Sequence, residues 1–164
     1  TSNLLGAVLL LSSTMTFLGC STVDDGSYTA PITLTEKIGG KWVVNSVTQT
    51  DETNARTKTL TNLLDFDTFV INLNQDEAGN ATIFSVEGNA PALLPTSGTW
   101  KMDYNFTKSD NTASNLILND GKAETSLTVT AVPGNTKTLE YRLTRKTNGQ
   151  SFVSYTYNLT QAVK

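Results

Sequence analysis

The sequence predicts an all-β domain, an eight-stranded antiparallel up-and-down barrel with short helical segments. Three observations predict it. Apolar and polar residues alternate with a period of two along most of the chain, as in Val153-Ser154-Tyr155-Thr156-Tyr157-Asn158-Leu159. Two-residue turn signals separate the alternating runs, among them Asp120-Gly121, Pro133-Gly134 and Asn148-Gly149. The chain is rich in Thr and Asn, which suit strands and turns, and poor in sustained helical periodicity.

In chain order, Pro31 to Ile38 holds Thr33 and Glu36 at capping-box spacing, which predicts one helical turn before the first strand. Strands are predicted at 40–50, 68–75, 81–87, 98–105, 114–119, 124–131, 137–146 and 151–161. Between the first two, Arg56 to Asp65 carries Leu60, Leu63 and Leu64 at helical spacing, so a short helix or loop over one barrel mouth is expected there. The polar run Asp76 to Asn80 makes a slightly longer turn. Consecutive hairpins favour a meander, and a meander of eight twisted strands removes its edges by closing. Period-2 parity turns Phe69, Ile71, Leu73, Trp100, Met102, Tyr104, Leu127, Val129, Leu139, Tyr141, Tyr155 and Tyr157 to the interior.

Ahead of the domain, residues 1–19 are uncharged and apolar through Leu4 to Leu11. The run is shorter than the roughly 20 residues of a spanning helix and fits the apolar region of a secretion signal whose first residues are missing. It ends at Phe17-Leu18-Gly19-Cys20, and Cys20 is the only cysteine of the chain. This resembles a bacterial lipobox, which implies a diacylglyceryl thioether on Cys20, cleavage after Gly19 and a membrane anchor at the new N-terminus. The following Ser21-Thr22-Val23-Asp24-Asp25 resembles the export signal of Bacteroidetes surface lipoproteins. These resemblances imply that residues 20–31 are a lipidated tether and residues 32–164 the barrel, on the outer membrane and at the cell surface, with a periplasm-facing position as the alternative.

Gly40-Lys41-Trp42 opens the first strand. It resembles the Gly-x-Trp opening of lipocalins and of lipocalin-like domains in Bacteroidetes-type surface lipoproteins, most of them of unknown function. The resemblance implies that Gly40 admits the chain at a crowded corner and that Trp42 closes the barrel base under a basic side chain. Arg145 shares the inward parity of Tyr141 and Leu143, which makes it the expected stacking partner of Trp42. A second Gly-x-Trp stands at Gly98-Thr99-Trp100.

Catalytic chemistry is scarce. The chain has no histidine, and so lacks the commonest general base and metal ligand. A single cysteine excludes an internal disulfide and a thiolate zinc cluster. A net charge of -3 argues against nucleic acid as partner. Asp65 and Asp67 flank Phe66 as a solvated strand edge would, and Asp76/Glu77 lie in a turn. No catalytic residue, cofactor or metal is therefore expected. The expected function is non-enzymatic binding of a small apolar or amphipathic ligand by Trp100, Met102, Tyr104, Tyr141, Tyr155 and Tyr157. The alternative is an accessory subunit with a filled barrel, docked to an outer-membrane protein of an uptake or adhesion complex.

Expressed with a complete signal in a lipoprotein-exporting host, the protein should partition with membranes and carry acyl mass on Cys20. Cys20→Ala should leave it unprocessed or released. Wild-type protein recovered soluble with a free thiol would refute the anchor.

Overall fold

In the computed structural model, nine strands follow one five-residue helix, and the structure describes residues 26, 29–90, 94–134 and 136–163. Residues 31–164 make one compact unit. Cys20, the signal and the acidic pair of the tether lie outside the described residues.

The helix α1 (Leu34–Ile38) forms where the capping box predicts it. The Thr33 hydroxyl accepts from the Glu36 N–H (3.1 Å), and the Glu36 carboxylate accepts from the Thr33 N–H (2.7 Å). The strands are β1 (Gly40–Asp51), β2 (Thr57–Thr59), β3 (Val70–Gln75), β4 (Ala81–Glu87), β5 (Ser97–Met102), β6 (Asn115–Asn119), β7 (Glu124–Ala131), β8 (Thr138–Thr147) and β9 (Gln150–Gln161). From β3 to β9 each strand pairs antiparallel with the next, and β3 also pairs with the start of β1. The other edge of β1 pairs with β9, from Trp42↔Gln161 to Asp51↔Val153, and this ladder closes the barrel. Eight strands make the ring; β2 stands outside it, on β1 opposite Thr48–Thr50.

The segment expected as a helix or loop over 56–65 begins as this added strand. Thr57 and Thr59 are β-branched, and the edge of β1 beyond its pairing with β3 offers unpaired backbone groups. The chain then turns, with the Leu60 N–H on the Val47 carbonyl (2.8 Å), into a 3₁₀ turn at Phe66–Thr68, so the following strand starts at Val70 rather than 68. Asn148-Gly149 forms the predicted two-residue hairpin with both residues at positive φ. Asp120-Gly121 does not. Four residues separate β6 from β7, and the Asp120 carboxylate accepts the Lys122 and Ala123 N–H groups, each at 2.8 Å. Gly134, expected in the left-handed region, has no positive φ.

Parity holds along most strands. Phe69, Ile71, Leu73, Leu127, Leu139, Tyr141 and Tyr157 are fully buried in one cluster with Trp42, Phe84, Leu116 and Leu118. In β1 strict alternation from Trp42 would bring Ser46 inward, but the pairing with β9 shifts between Val44 and Ser46. Asn45 is the extra residue of this bulge, and Val47 takes the inward place. Outside, the Asn45 amide donates to Asn158 (3.0 Å) and Asn158 to Glu140 (2.8 Å).

One end of the barrel is plugged by α1. The Leu34 N–H donates to the Asn105 carbonyl (2.9 Å), while the Thr35 N–H and hydroxyl donate to the Asn105 side-chain oxygen (3.2 and 2.5 Å). At the helix's other end the Trp42 indole N–H donates to the Ile38 carbonyl (2.7 Å), with Trp42 and Ile38 both fully buried. Gly40 needs its freedom for conformation more than for space. Its φ is +124°, and an added Cβ would meet only the Gln161 amide, at 3.3 Å.

The second Gly-x-Trp shares the positive φ and the indole-to-carbonyl bond but, unlike the first, has a glycine that lacks space for a side chain. The Trp100 indole donates to the Asn74 carbonyl (2.7 Å). Gly98 has φ +153°, and a Cβ there would lie 1.9 Å from the Asn119 carbonyl oxygen.

Arg145 does not meet Trp42. The register sets Arg145 beside Val153, and Val153 beside Asp51, at the far end of β1. That is about 30 Å from Trp42 at the usual rise per residue. Shared parity put both residues on the inner face but carried no information about which end each occupies. The Arg145 guanidinium instead lies 5.6 Å from the Phe152 ring centroid.

Trp42→Ala should cost about 3–5 kcal/mol in chemical unfolding, through the lost ring and the opened plug. Arg145→Ala should be additive with it, within about 0.5 kcal/mol in a double-mutant cycle. Coupling well above that would contradict the register.

Candidate functional site

The end opposite α1 carries the candidate site. A cleft of about 520 Å³ opens there, lined by Gln49, Lys58, Leu60, Leu63, Leu64, Phe66 and Tyr155. Its volume lies within the roughly 300–1,000 Å³ of small-molecule sites. Gln49 pairs with Lys58 across β1 and β2, and with Tyr155 across β1 and β9, so one cross-strand row spans the cleft. Leu60, Leu63, Leu64 and Phe66 come from the turns that follow β2. The leucine run expected over a barrel mouth does stand there, without forming a helix.

The rim is held in an unusual backbone. Leu64 and Asp65 are both left-handed, at φ +54° and +56°, a region that bulky side chains rarely adopt. Leu64 is also 78% exposed. The surroundings enforce this conformation. The Leu64 carbonyl accepts from the Asn89 amide (3.0 Å), the Asp65 carbonyl from the Thr68 hydroxyl (2.6 Å), and the Thr68 hydroxyl from the Asn89 N–H (3.1 Å). Strain of this kind costs about 1–3 kcal/mol per residue and persists where neighbours over-determine it. Asp65 and Asp67 are exposed on either side of the buried Phe66, in a turn rather than on an extended edge.

A polar cluster on the outer wall secures the β1–β2 hairpin. The Glu52 carboxylate accepts from the Ser154 hydroxyl and the Arg142 guanidinium, and Arg142 Nε donates to Ser154 Oγ (2.9 Å). Ser154 is fully buried beneath this contact. The Ser154 hydroxyl first, and then Arg142, hold the Glu52 carboxyl below its usual range.

The six side chains expected to contact a ligand do not form one site. Tyr155 lines the cleft. Trp100 and Met102 are buried on β5, which runs toward the α1-plugged end. Tyr104 lies beyond the end of β5, 47% exposed, with its ring edge-on to Phe106 at 6.5 Å. It misses the interior because the strand stops at Met102, and parity ends with the strand. Tyr141 and Tyr157 are fully buried and stacked, with ring centroids 5.0 Å apart. Sequence reasoning missed Gln49, Lys58 and Phe66 as site residues. Gln49 reaches the inner face only because of the bulge at Asn45, and Lys58 only because β2 joins β1.

Since the carboxyl of Glu52 is lowered, its pairing contributes stability above the ordinary glutamate value of 4.5 and loses it as the pH falls through the lower folded value. Glu52→Gln should therefore lower the melting temperature most at neutral pH, and the gap to wild type should narrow as the pH falls below 4.5. A gap independent of pH would mean that charge plays no part.

A search of curated proteins and of solved structures finds no match to the chain. The closed eight-strand barrel fits a lipocalin-like domain. A family model described as a domain of unknown function, DUF5004, matches residues 16–160, nearly the whole barrel and its approach, and the chain belongs to that family.

Proposed function

We propose that the protein is a lipid-anchored lipoprotein of the Bacteroidetes type, exposed on the outer membrane. Its barrel binds a small amphipathic molecule at the open mouth and catalyses no reaction. The cleft carries this reading. Leu60, Leu63, Leu64, Phe66 and the Tyr155 ring offer an apolar wall, while Gln49 and Lys58 supply polar contacts. Lys58 has no ion-pair partner among the described residues. The strained, outward Leu64 supports the same reading, because an exposed leucine gains the fold nothing by its own burial. The anchor rests on Gly19-Cys20 and the acidic residues after it.

One observation favours an accessory subunit instead. The interior beneath the mouth is occupied by large buried side chains, among them Trp42, Phe69, Phe84, Tyr141 and Tyr157. The binding surface is then the rim, with Leu63 and Leu64 exposed for a protein partner.

Native mass spectrometry of the protein drawn from its own host distinguishes them. Wild type should retain a small-molecule adduct. Leu63→Asp, at a position already 41% exposed, should fold and lose the adduct, since a carboxylate in an apolar wall costs binding. An adduct-free wild type that captures a membrane protein only while Leu63 and Leu64 are intact would replace ligand binding with the accessory role.

A further inference from the structure

The plugged end of the barrel has two unlike sides. The β3–β4 turn, the β5–β6 loop, the β7–β8 loop and the start of β1 beside the end of β9 all meet there. In the order of the ring, the β3–β4 turn stands opposite the β7–β8 loop. The β3–β4 turn is acidic. It carries Asp76 and Glu77, and its Gly79 packs so closely on the Glu36 side chain that an added Cβ would lie 2.9 Å from Glu36 Cγ. The other side is apolar and basic. Between the β5–β6 loop and the end of β7 runs a groove of about 230 Å³, with Leu34, Phe106, Val129 and Val132 in its lining. Phe106, its neighbour Tyr104 and Val132 are exposed, and Ile32, just before α1, is 64% exposed. Next along the ring is a cleft of about 300 Å³, with Lys41, Lys137, Gln161 and Val163 in its lining. The Gln161 N–H on the Lys137 carbonyl (3.2 Å) and the Ala162 N–H on the Lys41 carbonyl (2.9 Å) draw it together. Lys41 and Lys137 are exposed and have no ion-pair partner among the described residues. The acids of the β5–β6 loop are engaged, Asp103 by Lys108 (2.9 Å) and Asp110 by the Thr112 hydroxyl (2.7 Å).

We propose that the apolar and basic side of the plugged end, from the β5–β6 loop to the end of β9, rests on an anionic lipid surface. The inference rests on the lipid-anchored reading and adds how the barrel is oriented on its membrane. The chain enters the compact unit at Pro31, immediately before α1, so an anchor at Cys20 is joined to the barrel at this end. Residues 20–30 span at most roughly 40 Å when extended. Such a tether keeps the plugged end near the bilayer without pressing it down, and contact is decided by the side chains. It also raises their effective concentration at the lipid, so that individually weak contacts suffice. Tyr104 and Phe106 suit the headgroup level, Ile32 and Val132 the acyl boundary, and Lys41 and Lys137 the lipid phosphates. The acidic β3–β4 turn, on the far side of the ring, tilts away from the like-charged surface. The same orientation turns the mouth cleft away from the bilayer, toward solvent.

The test labels the mature lipidated protein at one introduced cysteine, which is possible because Cys20 is the only native one. An environment-sensitive nitrobenzoxadiazole probe is placed at Thr107→Cys, exposed in the β5–β6 loop, or at Asn62→Cys, exposed at the mouth. The protein is then bound to vesicles of phosphatidylglycerol and phosphatidylcholine that contain a nitroxide-labelled lipid. The Thr107 probe should shift to the blue and be quenched, and the Asn62 probe should do neither. Lys41→Glu/Lys137→Glu, at two exposed positions, should still float with the vesicles but lower the ratio of docked to undocked barrel at least about tenfold. Vesicles of phosphatidylcholine alone should lower it likewise. Floating protein whose Thr107 probe stays unquenched, or whose two probes are quenched alike, would overturn the orientation and leave the anchor intact. A blue shift without quenching would put a second copy of the chain on this face in place of lipid. Quenching indifferent to the lysine pair would rule out the anionic surface as the partner. Protein that fails to float would remove the anchor, and the proposal with it.

Discussion

The ladder between β1 and β9 is the constraint on which the rest of the molecule depends. A meander of β3 to β9 alone would leave two open edges, each a row of unpaired backbone groups. β1 removes both by pairing with β3 near its start and with β9 along most of its length. Such a strand must keep one face turned to the interior from one end of the barrel to the other. The bulge at Asn45 allows this. Trp42 seals one end, and after the extra residue Val47 and Gln49 continue the inner face to the other. The bulged residue is compensated on the outer wall, where its amide joins the Asn158–Glu140 network across the same closing ladder.

Closure also separates the two ends by function. At the plugged end backbone groups are met by designated partners. Asn105 and Thr33 satisfy the first N–H groups of α1, and the Gln75 amide and the Trp42 indole reach the carbonyls of Thr35 and Ile38. Little is left there for a ligand to complete. The opposite end is built from the segment that does not fit the ring. β2 extends β1 past β3, and the turns after it expose leucines and bend through left-handed backbone before the chain re-enters the barrel. The cleft therefore follows from an excess of chain at one corner of an otherwise regular meander.

Polar burial marks the same division. Ser154 is enclosed on the outer wall with both of its partners present, Glu52 and Arg142, and so works as a fastener for the hairpin. Tyr141 and Tyr157 are enclosed in the interior with no partner for either hydroxyl among the described residues. A phenol contributes a large apolar ring to a core whether or not its hydroxyl is paired, but the unpaired hydroxyl costs desolvation. Phenylalanine would fill the same space without that cost.

What the sequence determined by itself was local and periodic. Alternation located the eight strands of the ring, within two residues at every bound except the end of β5, which stops three residues early, because a half-buried antiparallel strand must present unlike faces to core and water. Thr33 and Glu36 announced α1, and Asn148-Gly149 its hairpin, since these residues satisfy or permit particular backbone geometries within a few positions. The tertiary structure alone decided register. Parity assigns a residue to a face and says nothing of its height, so it sets Arg145 with Trp42 although the two stand at opposite ends. For the same reason Trp100, Met102, Tyr141 and Tyr155 shared a face without sharing a site. The bulge that turns Gln49 inward and the edge that recruits Lys58 exist only once distant strands meet, because both arise from unpaired backbone groups finding partners across the sheet.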